Sequence, residues 1–436
     1  MSSHDGIPHA VLNYQEWASQ LLPGQSVKGG LMANPYHTLF TTPGVTGLMI
    51  SGLIARLPQT MIGIGIVTML VQQTRLYWLA ASAAGTFTLA HALIGPYVSR
   101  VVDQWGQRKV LPFVTVFSIG MLFLLIIAVY LKAPFPLLFI FAALAGTIPS
   151  MPAMTRARWA QLFHGKAQLH TAFCLDMAMT ELAFIIGPPL AIGLSISFFT
   201  ENGPLISIFL LFFGMTAFLM QRQTEPTLVV GTPRKPGSIL LIPGIRTILS
   251  TLMAMGIISG SINVAVFSFA FTHAQSQPAP IGFILVAHGL GSMIAALLFG
   301  VLSIAWPIEK QFSIVSLITA TITALPFLSS NVYIFTGILF VAGLSFALTM
   351  VIVMKLGTII LPPSRITEGF TRMTTDISIG IGLGGISAGL IIDAYGVQAG
   401  FGVAFVAGLA MVMIMLLGLR TLRATLQFDA NVSRKP

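Results

Sequence analysis

What this 436-residue chain has least of is charge: 8% of its residues are Asp, Glu, Lys or Arg, against about 25% in a soluble domain. With 55% hydrophobic residues it would expose far too much apolar surface in water, which excludes an ordinary soluble fold and makes a bilayer its expected solvent. Cysteine is almost absent. Cys174 stands alone, which excludes an intrachain disulfide and a thiolate metal cluster. A phosphate-binding glycine loop with Lys-Ser or Lys-Thr is missing, so ATP drive is not expected. Gly-x-Ser-x-Gly and His-Glu-x-x-His are missing too, and an enzyme is not expected. There is no ion-selectivity filter sequence and no Arg-rich voltage-sensing helix. Acids are fewer than bases, 12 against 22, for a net charge of +10. The cations are scattered through short connections rather than clustered, which argues for membrane topology and against nucleic acid as a partner.

What is present is apolar run after apolar run. A span needs roughly 20 residues. Such windows fall at roughly 44–71, 77–98, 110–131, 135–155, 169–195, 203–220, 245–271, 281–304, 311–329, 332–354, 367–392 and 398–419, which predicts about twelve transmembrane helices. With the N-terminus inside, Arg75 and Lys132 are the only cations placed in outer connections, and Arg56 lies inside a span. The other cations fall on one side, a strong positive-inside pattern that puts both termini in the cytoplasm. Residues 1–43 read as a cytoplasmic arm with no leader pattern, in which HAVLNYQEWASQLL (His9–Leu22) could lie on the membrane surface or be disordered. The Pro-rich, basic stretch RQTEPTLVVGTPRKPGSILLIPG (Arg222–Gly244) reads as a linker at 221–244. It separates six-helix bundles at 44–220 and 245–420, and 421–436 is the cytoplasmic tail. A faint repeat supports that division. Phe173, Gly187 and Ala191 in the fifth span align, at one common offset, with Phe370, Gly384 and Ala388 in the eleventh.

Between the second and third spans lies a charged island, SRVVDQWGQRKV (Ser99–Val110). Gly106 permits a tight turn, Arg108 and Lys109 hold the connection inside, and Asp103 suits a helix N-terminus or a nearby cation. The plain alternative is a positive-inside anchor with a solvated acid. The stretch resembles the loop motif of the major facilitator superfamily, Gly-x-x-x-Asp-Arg-x-Gly-Arg-Arg. Asp103, Gly106, Arg108 and Lys109 match it; Ser99, Gln104 and Gln107 depart from it. NPYHTLFTTPG (Asn34–Gly44), ARLPQTMIGIG (Ala55–Gly65), IIGPPLA (Ile185–Ala191) and ITEGFTRMTT (Ile366–Thr375) resemble a subgroup of these transporters common in actinobacteria. The resemblance implies two rocking six-helix halves and a central cavity lined by helices 1, 4, 7 and 10. It also implies an Asp103 that steadies one conformation, with Arg156 or Arg158 as possible partners. Gly187, Pro188 and Pro189, read as a turn in the fifth span, resemble the Gly-Pro motif of drug–proton antiporters, departing from it at Leu190 and Ala191.

Ionisable groups inside a span are costly, by roughly 2.5–3.5 kcal/mol on insertion scales, and need a partner or a task. Arg56 and Glu181 each lie about 12 residues, roughly 18 Å, into helices running in the same direction. Since helices 1 and 5 are neighbours in the family's fold, a buried Arg56–Glu181 ion pair is expected, either as a static lock or as a proton or substrate switch. Arg372 and Asp376 have the spacing of an (i, i+4) pair. Asp176 is expected to be solvated or capping near the inner face. Gln59 and Asn263 are polar midspan residues suited either to a substrate or to a helix–helix bond. His91 and His288 are lone intramembrane histidines, and no pair has metal-ligand spacing.

The sequence therefore predicts an all-α membrane protein, a secondary active transporter in the inner (plasma) membrane. Proton-coupled export of a small amphipathic molecule is the expected activity, with Glu181 and then Asp376 as proton carriers. Uptake of a small, anionic metabolite held by Arg56, or a non-transporting scaffold, are the rivals. No cofactor and no metal is expected. The expected partners are a small-molecule substrate, protons and lipid, and the expected assembly is a monomer.

Overall fold

The computed structural model describes residues 35–197, 199–226, 239–242, 244–273, 281–302, 304, 306–328 and 332–432. The described chain is all-α. After a short helix, Pro35–Phe40, come α1 (Val45–Thr74), α2 (Tyr77–Trp105), α3 (Gln107–Tyr130), α4a (Phe135–Ala145) and α4b (Met151–Leu162). They are followed by α5 (Gln168–Ser197), α6 (Asn202–Met220), α7 (Ile245–His273) and α8 (Ile281–Val301). The chain ends with α9 (Ile308–Ile322), α10 (Val332–Ile360), α11 (Ile366–Tyr395) and α12 (Val397–Val432). Among the described residues, nine helices are long and apolar enough to cross a bilayer unaided. With α4a and α4b joined, and with α8 and α9, twelve spans stand where the apolar windows put them. Residues 1–34 of the expected arm at 1–43, including the expected surface or disordered segment His9–Leu22, and most of the expected linker, 227–238, lie outside the described residues.

Several boundaries differ from the hydropathy reading, for one reason. Helices continue past the apolar window wherever backbone hydrogen bonding has no breaker. The charged island is thus not a loop: α2 runs to Trp105, α3 begins at Gln107, and only Gly106 intervenes, at φ 88°. That left-handed value is one an L side chain rarely adopts. Arg156 and Arg158, assigned by sequence to a connection, are buried in α4b, and Lys355 and Arg372 lie within α10 and α11. The expected tail is helical to Val432. The fourth span is broken at Gly146–Ser150, where Pro149 lacks a backbone donor, and Pro152 sits in the first turn of α4b, where that donor is not needed.

The twelve spans form two six-helix repeats. In the first, α1 packs on α2, α5 and α6; in the second, α7 packs on α11 and α12, and α8 on α10. Two seams join the repeats, α2 with α11 and α5 with α8, and α4b also meets α11. Since the repeat relates α2 to α8 and α5 to α11, the seams are counterparts of each other. Apolar side chains such as Leu93, Phe113, Phe209 and Leu417 cover the outside, as a lipid-facing surface requires. Helices α7 and α11 meet backbone to backbone. A Cβ added at Gly256 or Gly260 would strike the carbonyls of Ile377 or Ile381. One at Gly380 or Gly384 would strike those of Met253 or Ile257. Glycines four apart on both helices make this approach possible.

Candidate functional site

Three buried charges meet where α1, α4b and α5 converge. Arg56 Nη2 lies 2.7 Å from Asp176 Oδ1, and Arg156 Nε lies 2.9 Å from Asp176 Oδ2. Residue exposures are 3%, 3% and 1% for Arg56, Arg156 and Asp176. Thr155 Oγ1 donates to the same carboxylate at 3.0 Å. Arg56 spends every donor it has. Nε reaches Gly52 O, Nη1 reaches Asp176 O and Thr180 Oγ1, and Nη2 reaches Thr155 Oγ1 and Asp176 Oδ1.

The expected Arg56–Glu181 pair is therefore corrected: Asp176, not Glu181, holds Arg56. Equal depth was a sound criterion but an incomplete one. Glu181 is five residues beyond Asp176, about 140° around the helix, so when Asp176 faces α1, Glu181 faces away from it. Its carboxylate instead accepts from Ser292 Oγ on α8 at 2.9 Å, across the seam between the repeats. Asp176 is correspondingly not a solvated residue. A sequence signal for it existed, an acid inside a span with Thr180 one turn on.

The α5–α8 seam continues toward the cation-rich end. His170 Nε2 donates to Phe299 O at 2.8 Å, and Thr171 Oγ1 donates to Gly300 O at 3.0 Å. The α2–α11 seam is closed at the same end. The Asp103 carboxylate accepts the backbone N–H of Glu368 at 2.9 Å, in the first turn of α11, where an anion complements the helix dipole. Glu368, 2% exposed, also binds Arg100 at 2.7 Å and Arg365 at 2.9 Å. Ser99 and Thr371 share a hydrogen bond of 2.6 Å, and Thr375 Oγ1 donates to Ala92 O at 3.1 Å. The partners the resemblance implied for Asp103 are engaged elsewhere. Arg156 is on Asp176, and Arg158 binds Gln107, Phe218 O, Gln221 O and Thr224, fixing α4b to α3 and α6. Arg108 approaches Glu225 at 3.8 Å, and Lys109 is exposed.

The other candidates scatter. Arg372 and Asp376 form the (i, i+4) pair that their spacing predicts, at 3.1 Å. Gln59 Nε2 donates to Pro149 O at 2.6 Å, so it bridges α1 to the break in the fourth span. Asn263 is exposed on α7. Gly187, Pro188 and Pro189 do not form a turn but sit inside a continuous α5, where Gly187 admits Thr60 from α1. Among the described residues, no group of three or more His, Cys, Asp or Glu is placed to hold a metal.

No family model and no curated protein matches the chain. Its fold is nevertheless found in solved structures. The human organic anion transporter MFSD10 (TETRAN) superposes with a TM-score of 0.66 at 13% identity, over 86% of this chain and 100% of that one. A bacterial homologue of the iron transporter ferroportin, outward-facing with soaked iron, gives 0.69 at 12% identity, over 86% and 98%. A bacterial homologue of the iron transporter ferroportin in its outward-facing state gives 0.66 at 15% identity, again over 86% and 98%. The chain has the all-α major facilitator fold, a multi-pass membrane architecture.

Proposed function

We propose that this chain is a secondary active transporter of the plasma membrane, with both termini cytoplasmic, whose two halves rock to expose a central cavity to each side in turn. The cation-rich seams form the cytoplasmic gate, and the chain exports a small amphipathic molecule in exchange for protons. Glu181 carries the proton. One observation carries this reading: Glu181, 7% exposed at membrane depth, has among the described residues a single neutral hydroxyl as hydrogen-bond partner, and that hydroxyl, on Ser292, belongs to the opposite half. Burial tolerates the neutral acid and penalises the carboxylate. When the halves part, Glu181 loses Ser292 and gains water, so protonation and gate position are linked. Supporting context comes from the neighbouring folds, which belong to transporters, one of organic anions and one a ferroportin homologue.

The test needs no knowledge of the cargo. Spin labels at Trp105 and Lys310, on a C174S background, report the distance across the cation-rich face by pulsed electron paramagnetic resonance. Between pH 6 and pH 8 the wild-type distribution is expected to move toward the longer distance as protons leave. In E181Q it is expected to stay put. A wild-type distribution indifferent to pH removes Glu181 from the mechanism.

A further inference from the structure

The α1–α4b–α5 cluster is unbalanced. It holds two guanidinium groups and one carboxylate, and the carboxylate's oxygens are already occupied by Arg56, Arg156 and Thr155. Arg56 is saturated by protein acceptors. Arg156 is not. Its Nε is used on Asp176, while Nη1 and Nη2 make no hydrogen bond to any described residue, although its side chain is only 4% exposed. Neither Nη atom is among the buried side-chain atoms left without a hydrogen bond, so both keep accessible surface, and this guanidinium edge with four N–H donors stays open to an acceptor.

Among the described residues, the surroundings supply no second acid. Glu181 faces α8 and is held by Ser292; Glu368 is held by Arg100 and Arg365; Asp376 is held by Arg372. Lys355 on α10, itself partly buried, adds positive charge near the start of α5. Asp176 lies eight residues into α5, about 12 Å from its cation-rich end, so the cluster sits behind the gate rather than at the surface. Met154 on α4b and Met177 on α5, the helices that carry Arg156 and Asp176, are both buried, and a thioether side chain adapts readily to an apolar neighbour.

We infer that Arg156 is the anion-recognition residue of this protein: its unengaged guanidinium edge takes the carboxylate or sulfonate of a small amphipathic organic acid, while Asp176 holds the Nε edge in place. A planar fork of parallel N–H groups matches such an anion in a way that an ammonium does not. Arg56, with every donor committed, is the positioning residue that fixes Asp176. This names the substrate class for the transport reading and rests on it. Its test does not require transport.

Purified full-length protein in detergent is heated with benzoate, 2-naphthoate or octanesulfonate, and with the neutral benzamide and 2-naphthamide. At saturation at least one anion is expected to raise the unfolding midpoint by about 3 °C, and the amides are expected to leave it unmoved. R156Q is expected to abolish the shift. R156K, which keeps the charge and loses the fork, is expected to weaken apparent affinity at least about tenfold, and it decides the matter should R156Q fail to fold. No stabilisation of wild type by any of the three anions overturns the inference, as does an equal shift by anion and amide or an undiminished affinity in R156K. The two readings fail separately. Anion binding without any pH response of the gate leaves the Arg156 site standing and defeats the proton-coupled transporter. A pH-responsive gate without anion binding does the reverse.

Discussion

Phe173 of α5 and Phe370 of α11 meet edge to face, with ring centroids 5.9 Å apart and planes inclined at 79°. They are the pair that the common offset between the two halves of the sequence aligns, and both are fully buried. A residue that touches its own repeat counterpart must lie beside the pseudo-two-fold axis, so this contact marks where the halves converge. Truncating either ring removes an apolar contact of both halves at once. F173A or F370A is expected to cost about 3–5 kcal/mol. It should also raise labelling of a cysteine at Thr171 on a C174S background. Thermal unfolding and labelling rate are the two measurements, and a loss of stability without faster labelling would mean that the rings do not hold the gate.

The seam around Glu368 ought to be cooperative. Its carboxylate binds Arg100 and Arg365, and its backbone N–H is held by Asp103. E368Q strips two ion pairs while leaving the helix intact. A cysteine at Ser99, which is 0% exposed in the closed seam, is expected to react about tenfold faster in E368Q than in the wild-type background. Equal reactivity would show that the apolar contacts alone hold the seam.

Breaking the buried triad should be severe. D176N leaves Arg56 and Arg156 without their counter-charge, and losing one partner of a buried pair costs about 3–5 kcal/mol. The reciprocal exchange R56E/E181R, which an Arg56–Glu181 pair would tolerate, is expected to fail, because those side chains point to different neighbours. Recovery of folded protein by that double variant, judged by monodisperse elution, would contradict the geometry.

The glycine contact between α7 and α11 is testable by methyl groups. G260A is expected to destabilise by about 1–3 kcal/mol through overpacking. G382A, on the same α11 but with nothing within 4 Å of its added Cβ, should be neutral or mildly stabilising. Unfolding midpoints of the two variants, measured side by side, check both.

The span count was legible because a bilayer demands apolar runs of fixed length, a property of each segment alone. The Arg372–Asp376 pair was legible for a similar reason, since its partners lie on one helix. Facing is what hydropathy does not carry. Asp176 and Glu181 share a helix and nearly a depth, and only the rotation between them decides that one meets α1 and the other α8. Arg156 and Arg158 look like connection residues because TRARWAQ is locally polar, and their burial depends on acceptors from α3, α5 and α6. The break in the fourth span was written in Gly146–Ser150, but its bond from Gln59 was not, since that needs α1 alongside.

Because Gly256, Gly260, Gly380 and Gly384 let two main chains touch, no pliable side chains lie between α7 and α11 to absorb a shift. A tilt of α11, released at Glu368, must arrive at α7 without slack, as motion does between the two faces of a single plank. The second repeat thus answers directly to the salt links at the base of α11.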